Sequence, residues 1–210
     1  MSLNEVKLII PARKNSKGLP YKNRTLIGIT LDNIPKKYHK NIIVSTDDEW
    51  IIEYCQERGI SVFKRSESTA SDTASTKSVI EEMKEVLNEK NLMLYLTYPE
   101  RKWEDVEKAL CLFDLSGARS LLCSKSLKTS PYLMMYREGF KGKQIIKHDL
   151  YRRQDYPDCF EISHFISIFL KEELDNLNNN MYNKDTIFFP IDDVVDVDTK
   201  QDLERYNEKN

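Results

Sequence analysis

A group of cationic and polar side chains follows the first apolar run of the chain. The run covers residues 6–10, and Pro11 ends it because proline cannot donate to a sheet ladder. The side chains that follow are Arg13, Lys14, Ser16, Lys17, Gly18, Lys22 and Asn23. Lysines and backbone N–H groups grip phosphate, and glycine permits a tight turn. The pattern predicts a phosphate-binding loop, with a solvated basic loop as the alternative. It matches neither G-x-x-x-x-G-K-[ST] nor G-x-G-x-x-G.

Two aspartates near the other end of the sequence, Asp196 and Asp198, have the spacing of a metal-binding pair. In an extended segment, residues two apart point to the same side, which is costly for two carboxylates unless a cation lies between them. Mg²⁺ binds through one or two carboxylates together with substrate phosphates. Combined with the basic loop, the pair predicts phosphoryl or nucleotidyl transfer. The adjoining Asp192 and Asp193 leave a solvated acidic edge as the alternative.

Two adjacent arginines and an amide, Arg152, Arg153 and Gln154, form a third candidate. The guanidinium fork binds carboxylate and phosphate groups in bidentate fashion, so this segment suits an acidic substrate. A structural ion-pair segment with Asp149 and Asp155 is the alternative.

Residues 64–76 are dense in Ser and Thr and contain a further arginine, Arg65. Arg65 is a candidate contact to phosphate, and Ser75 or Thr76 is a candidate contact to a base edge. Most of the hydroxyls in this stretch are expected to cap the helix that follows.

The elements that must position these residues alternate in type. Apolar runs predict buried strands at residues 6–10, 41–45, 60–63, 91–96 and 120–123. Helical periodicity is present at residues 50–58, 79–87 and 104–113. Residues 24–40 show no long amphipathic pattern, and only a brief turn is predicted there. This order predicts an α/β sandwich with a mostly parallel sheet.

The loops after the predicted strands carry the candidate residues. Ligands of such sheets bind outside the carboxyl ends of the strands. We therefore expect the loops at residues 13–23, 46–48, 65–76 and 97–101 to meet at a single pocket.

The second half of the chain has a different pattern. Residues 125–157 are polar and lack a long helix, which predicts a β-rich arm, lid or dimer contact within a single domain of residues 1–210. A strand at 160–170, a short helix at 171–177, a strand at 186–190 and a closing helix at 200–208 complete the predicted order.

Composition narrows the class of protein. The 210 residues carry a net charge of −2, so bulk charge gives no reason to expect a nucleic-acid partner. No run has the length of a membrane helix, and no apolar leader is visible, which favours a cytoplasmic protein. The four cysteines and three histidines show no metal-ligand spacing, so reduced thiols are expected and zinc is not.

At this point the motifs resemble those of a known family, the bacterial CMP-sugar-acid synthetases, or acylneuraminate cytidylyltransferases. The resemblance covers nearly the whole chain. It rests on I-P-A-R-x-x-S-K-G-x-P-x-K-N at residues 10–23, S-T-D at 45–47, R-(x)6-D at 65–72, R-R-Q-D at 152–155 and D-V-D-T at 196–199, followed by Q-D-L at 201–203.

The resemblance implies a nucleotide-diphospho-sugar-transferase fold, a Rossmann-like three-layer sandwich with a β-rich dimerisation excursion. It implies a homodimer that transfers CMP from CTP to an acidic sugar for surface polysaccharide biosynthesis, with Mg²⁺, and releases pyrophosphate. The implied triphosphate contacts are Arg13, Ser16, Lys17 and Lys22, of which Arg13 and Lys17 are also catalytic. Nucleotide contacts are Asn23, Arg65 and Thr76, and the metal ligands are Asp196 and Asp198. Arg152, Arg153, Gln154 and Tyr95 lie on the acceptor side.

The chain also departs from the family pattern. Tyr95 stands where the family has the glutamine that would touch the sugar, Ile162 and Ser163 replace the N-G of an E-N-G motif, and the first helix looks shortened. The motifs therefore specify the CTP donor more closely than they specify the acceptor. A phosphorylated non-sugar acid as acceptor, or a degenerate CTP-binding protein without transfer activity, are the alternatives.

Overall fold

The computed structural model describes residues 3–16 and 18–209. The strands are β1 (Val6–Pro11), β2 (Ile42–Thr46), β3 (Ser61–Lys64), β4 (Lys90–Met93), β5 (Ser120–Ser126), β6 (Met135–Glu138), β7 (Lys141–Gln144), β8 (Phe160–Leu170) and β9 (Ile187–Pro190). The α-helices are α1 (Lys22–Asp32), α2 (Glu49–Glu57), α3 (Glu67–Ala70), α4 (Thr76–Glu82), α5 (Trp103–Ser116) and α6 (Lys200–Lys209). Short 3-10 helices cover Leu3–Glu5, Lys36–Asn41, Lys84–Val86, Pro131–Leu133, Arg153–Asp155 and Lys171–Asn176.

Seven strands form one mixed sheet in the order β3-β2-β1-β4-β8-β5-β9. Neighbouring strands are parallel except that β8 runs antiparallel to both β4 and β5. The predicted α/β fold with a mostly parallel sheet is therefore confirmed. The predicted strand at 91–96 is shorter than expected, because the ladder of β4 ends at Met93.

The sheet is covered on both faces, as a three-layer sandwich requires. Side chains of one strand alternate between the faces. Leu8 and Ile10 of β1 pack in the core cluster that includes residues of α1, α2 and α5. Ile9 packs in the opposite cluster, with Ile80 of α4 and Leu174.

The prediction of only a brief turn at residues 24–40 was wrong. The eleven-residue helix α1 begins at Lys22 and covers residues 24–32 of this stretch, and its inner face buries Leu26, Ile27, Thr30 and Leu31. β-Branched residues and Gly28 have low helix propensity, so the local pattern underestimates a helix that tertiary burial stabilises. A Cβ on Gly28 would lie 2.7 Å from the Tyr54 hydroxyl, so the glycine also allows α1 to approach α2 closely.

Between β5, which ends at Ser126, and β8, which begins at Phe160, the chain leaves the main sheet. Strands β6 and β7 pair with each other in a separate antiparallel sheet of two strands. The large apolar side chains of this hairpin are exposed, among them Met135, Tyr136 and Phe140. Among the helices described, none is both long and apolar enough to cross a lipid bilayer.

Candidate functional site

A cavity of about 290 Å³ lies at the carboxyl edge of strands β1, β3 and β4. The loops after β1 and β3, together with the residues that follow β4, form its wall. The predicted meeting at one pocket is confirmed for the loops at residues 13–23 and 65–76 and for Thr97 of the loop at 97–101, but it is wrong for the turn at 46–48, which does not line the cavity. The predicted site residues that line it are Arg13, Ser16, Lys22, Asn23, Arg65, Thr76 and Tyr95.

The loop after β1 is fixed by contacts across the cavity. Arg13 forms an ion pair with Asp72 of the loop after β3. The side-chain amide of Asn23 donates to the Arg13 carbonyl at 2.8 Å and so closes the loop. Ser16 also lies at the cavity wall. Lys17, which the resemblance places on the triphosphate, lies outside the described residues.

This loop leads directly into the first turn of α1. Tyr21 precedes the helix with a positive φ of 57°, and Lys22 and Asn23 are its first residues. The first N–H groups of a helix have no intrahelical partners, and the helix dipole makes this end favourable for anions. The structure thus places a helix N-terminus, a lysine and an arginine at the same wall, an arrangement suited to phosphate.

The turn after β2 holds the loop at both ends without lining the cavity. The Lys14 backbone N–H donates to the Asp47 carboxylate at 2.7 Å. Arg24, in the first turns of α1, donates to both oxygens of Asp48 at 2.8 and 2.9 Å. The Asp48 side chain is 1% exposed. This hydrogen bonding with Asp48 raises the pKa of Arg24, so the guanidinium stays charged.

Arg65 forms the buried back of the cavity. Its Nε donates to the Ser45 hydroxyl at 2.9 Å and to the Ser45 carbonyl at 3.1 Å. Burial lowers the pKa of Arg65 to about 10, so the guanidinium remains charged at neutral pH. A charge held in this way attracts an anionic ligand without needing to reorganise.

Thr76 and Tyr95 face each other across the far end of the cavity. Their hydroxyl oxygens are 2.6 Å apart. Burial raises the pKa of Tyr95 to about 12, so the phenol is neutral. The helix α4, which starts at Thr76, is capped by Ser75, whose hydroxyl accepts from the Ser78 N–H. The hydroxyl of Ser75, one of the two candidate contacts to a base edge, therefore caps the helix instead.

The two aspartates of the D-V-D segment have different partners. Asp198 accepts from the Lys22 ammonium at 2.6 Å, and Asp196 accepts from the Tyr98 hydroxyl at 2.8 Å. Val197 between them is buried, and its N–H donates to the Thr97 carbonyl at 2.7 Å. A bond of 3.1 Å from the Asp198 N–H to the Asp196 carbonyl bends the segment, so it is not extended as assumed.

The donor set at this segment fits a hard divalent cation that also binds the substrate. The second oxygen of Asp196 is buried and has no hydrogen-bond partner, so it retains free lone pairs. Within residues 3–16 and 18–209, no group of three or more carboxylates, imidazoles or thiols could hold a metal by itself. A metal at Asp196 and Asp198 would therefore complete its shell with phosphate oxygens and water.

The basic loop and the acidic segment are in direct contact. A Cβ added to Gly18 would lie 2.3 Å from the Asp198 carbonyl oxygen, so only glycine fits here. The first and last motifs of the sequence, far apart along the chain, thus form one side of the same site.

The predicted acceptor residues lie elsewhere. Arg152, Arg153 and Gln154 are exposed and do not line the cavity. Arg152 makes a two-fold hydrogen bond with Asp155, with both distances 2.9 Å, as in the structural alternative. Only Tyr95, of the four residues predicted for the acceptor, reaches the cavity.

Sequence reasoning missed a polar cluster beside Asp196. Tyr98 accepts from the Ser163 hydroxyl at 3.3 Å and donates to Asp196. His164 packs on Tyr95 with ring centroids 5.3 Å apart, and its buried Nδ1 has no partner. Burial lowers the pKa of His164. The register of β8 beside β4 brings this cluster together, and no local motif marks it.

Comparison with known proteins agrees with this geometry. A family model described as Cytidylyltransferase matches residues 8–98. An N-acylneuraminate cytidylyltransferase of Streptococcus agalactiae is 29% identical over 181 residues, which cover 78% of this chain and 43% of that protein. A pseudaminic acid cytidylyltransferase of Campylobacter jejuni is 26% identical over 215 residues, which cover 93% of this chain and 92% of that protein.

Residues 8–98 thus resemble the cytidylyltransferase family, and the two relatives, at 29% and 26% identity, carry cytidylyltransferase names. The predicted resemblance is thereby confirmed. The matched region of the family model contains β1, the basic loop and Arg65. The chain spans less than half the length of the streptococcal relative and most of the length of the Campylobacter protein.

The fold of this chain is also that of solved structures. The structure of a CMP:2-keto-3-deoxy-manno-octonic acid synthetase in complex with CTP superposes with a TM-score of 0.69. Sequence identity is 16%, and the superposition covers 98% of both chains. At this identity the likeness supports the nucleotide-diphospho-sugar-transferase fold.

Proposed function

We propose that this protein transfers CMP from CTP to an acidic sugar and releases pyrophosphate. The observation that supports this most strongly is the junction of the basic loop with the D-V-D segment at a cavity of nucleotide-binding character. Cations and a helix N-terminus line this cavity, and Asp198 is bonded to one of those cations, Lys22, while its carbonyl lies against Gly18. Nucleotidyl transfer needs this combination, because negative charge must be neutralised on several phosphate oxygens at once.

In the proposed reaction, a hydroxyl oxygen of the acceptor attacks the α-phosphorus of CTP. The bond between the α-phosphorus and the bridging oxygen breaks, and pyrophosphate leaves with the electron pair. Arg13, Lys17 and Lys22 are assigned to the triphosphate, where their charge stabilises the leaving group. Ser16 and the first turn of α1 orient it through hydrogen bonds.

The nucleoside end is assigned to Asn23, Arg65 and Thr76. Arg65 is charged and rigidly held by Ser45, so it suits a phosphate at the inner end of the cavity. Thr76 presents a hydroxyl that is already paired with Tyr95 and can donate or accept toward a base or ribose.

A divalent cation, Mg²⁺ in this proposal, would be held by Asp196 and Asp198 and would supply charge neutralisation and Lewis acidity at the reacting phosphate. The free oxygen of Asp196 supports this assignment. In this scheme, the proton of the acceptor hydroxyl passes to water.

The acceptor is assigned to the acidic sugars because the relatives are named for acylneuraminate and pseudaminic acid. The neutral phenol of Tyr95 sets one boundary of its site. Arg152, Arg153 and Gln154 are assigned to the acceptor carboxylate, although they lie outside the cavity of the single chain. Their exposure suits a site that is completed by a second copy.

We infer a homodimer formed through residues 125–157. The exposed apolar side chains of the hairpin β6–β7 favour burial against another surface.

A cytoplasmic enzyme is also proposed, since CTP is a cytoplasmic metabolite and all four cysteines are free thiols. Surface polysaccharide biosynthesis is the corresponding pathway.

A second candidate function is CTP binding without transfer. The observation that favours it is the acceptor side, where Tyr95 fills the wall and the arginines of the R-R-Q-D motif stand away from the cavity. A phosphorylated non-sugar acid as acceptor is the remaining alternative.

Pyrophosphate release from CTP, measured across acidic sugars and phosphorylated acids, separates these functions. The main proposal predicts Mg²⁺-dependent release with at least one nonulosonic acid. Release only with a phosphorylated acid would change the acceptor class. Thermal stabilisation by CTP without release from any acceptor would favour the binding protein and contradict the main proposal.

A further inference from the structure

The ion pair between Lys22 and Asp198 joins a proposed phosphate ligand to a proposed metal ligand. The Nζ to Oδ1 distance is 2.6 Å, and the Lys22 side chain is only 10% exposed. Lys22 also lines the cavity. In this structure, the carboxylate that would bind the cation is therefore neutralised by the ammonium that would bind the triphosphate.

The backbone around Asp198 is fixed, while its side chain is open to solvent. The Asp198 carbonyl packs against Gly18, and the neighbouring N–H of Val197 donates to the Thr97 carbonyl at 2.7 Å. The Asp202 carboxylate accepts from the N–H groups of Asp198 and Thr199 at 3.3 and 2.9 Å. The Asp198 side chain is 65% exposed. Rotation of the side chain can thus break the ion pair without movement of the segment.

We propose that Lys22 is an internal counter-ion that holds the Asp198 carboxylate until the triphosphate and a divalent cation replace the pair. This inference rests on the proposed function. Lys22 moves from a carboxylate to a phosphate oxygen, and Asp198 exchanges an ammonium for the cation. Each charge keeps a partner of opposite sign, so no charge is left uncompensated at a partly buried site.

The exchange makes the two ligands interdependent. Before nucleotide arrives, the cation must compete with Lys22 for Asp198, which weakens metal binding. Triphosphate removes this competitor, and the cation in turn releases Lys22 for phosphate. Linkage requires that each ligand raises the affinity for the other by the same factor.

The inference predicts that removal of a positive charge strengthens cation binding to the nucleotide-free protein. Mn²⁺ binding, followed by electron paramagnetic resonance without nucleotide, is measured for wild type and Lys22→Gln. The variant should bind Mn²⁺ at least about fivefold more tightly. The matched control is Lys64→Gln, which removes an exposed lysine paired with Glu49 at 2.6 Å, and it should bind Mn²⁺ like wild type.

The reciprocal measurement uses Asp198→Asn, which releases Lys22. With EDTA present to remove metals, this variant should bind CTP more tightly than wild type in isothermal titration calorimetry. Thermal unfolding of each variant checks that the fold is intact. If Lys22→Gln does not fold, the Asp198→Asn measurement decides alone.

Equal or weaker Mn²⁺ binding by folded Lys22→Gln, or equal or weaker CTP binding by Asp198→Asn, would overturn the inference. The Mn²⁺ comparison needs no CTP. Failure of wild-type protein to bind CTP with or without metal would instead overturn the proposed function, so the two failures are distinguishable.

Discussion

At the scale of the residue, Gly18 has a role in the structure that differs from the role predicted for it. From the sequence, Gly18 is predicted to permit the tight turn of a phosphate-binding loop. The structure shows that a side chain at this position would meet the Asp198 carbonyl, a backbone atom that cannot swing aside. The loop and the acidic segment depend on this close approach.

Gly18→Ala should therefore separate the loop from the D-V-D segment. We expect a loss of stability of about 1–3 kcal/mol, as for overpacking at a rigid site, and a weaker affinity for CTP. Thermal unfolding and calorimetric titration measure the two effects. The control is Gly142→Ala, where the nearest atom is the flexible Met135 sulfur at 2.8 Å. Equal effects of the two substitutions on CTP affinity would contradict the account.

His164 is the residue whose titration should be visible in stability. Its pKa is lowered in the folded protein because burial disfavours the charged imidazolium. In the unfolded chain it has the ordinary value of about 6.5. Below that pH the unfolded state binds a proton that the folded state resists, so stability falls as pH falls.

His164→Gln should remove this pH dependence. Between about pH 6.5 and pH 5, the melting temperature of wild type should fall more steeply than that of the variant. Above pH 7 the two slopes should be parallel. The control is His39→Gln, which alters a histidine on the 3-10 helix Lys36–Asn41, where its Nε2 lies 3.0 Å from the Ile34 carbonyl oxygen. A variant that keeps the wild-type slope in the acidic range would show that His164 does not cause it.

At the scale of elements, the turn after β2 supports the basic loop by hydrogen bonds at both of its ends. Asp47 holds the start of the loop, and Asp48 holds Arg24 just after its end. Asp48 is buried, so loss of Arg24 leaves a carboxylate without its partner. Breaking such pairs typically costs about 3–5 kcal/mol when both charges are buried, and less here because Arg24 is 29% exposed.

Arg24→Met should loosen the loop without touching the cavity wall. Amide hydrogen exchange of residues 13–23 should become faster, and CTP affinity should fall several-fold. Lys64→Met removes a lysine of β3 from its exposed ion pair with Glu49 of α2 and should change neither. If amide hydrogen exchange in the loop is unchanged in Arg24→Met, the pair of Arg24 with Asp48 does not order the loop.

The elements also show where sequence reasoning succeeds and where it stops. Strands β1 to β3 and helix α5 were predicted closely, because runs of buried apolar residues leave clear periodicity. Helix α1 was missed because Gly28 and several β-branched residues weaken its local signal. Its stability comes from packing on the sheet, which a local window does not contain.

At the scale of the whole molecule, the order of strands and loops was enough to predict where the cavity lies. Parallel strands deliver their following loops to one edge, so the cavity at β1, β3 and β4 was predictable. The cluster of Tyr98, His164 and Asp196 was not, because it depends on the antiparallel insertion of β8. The acceptor side is thus the part of the site that sequence reasoning defines least.

The hairpin β6–β7 is predicted to be the dimer contact. Paired substitutions Met135→Asp and Tyr136→Asp place charge on its exposed apolar surface. Size-exclusion chromatography with light scattering should give a dimer for wild type and a monomer for the variant, with unchanged circular dichroism. A wild-type monomer, or a variant that remains dimeric, would contradict this arrangement.

The central claim is CMP transfer, and the fate of each phosphorus atom tests it most directly. Wild-type protein is incubated with Mg²⁺, each acidic sugar of the panel in turn, and CTP labelled at either the α- or the γ-phosphorus. The account predicts α-label in an acid-labile phosphodiester of CMP with the acid, and γ-label in pyrophosphate. With acceptor present and CTP bound, γ-label appearing as inorganic phosphate, or no redistribution of either label across the acidic-sugar panel, would contradict it.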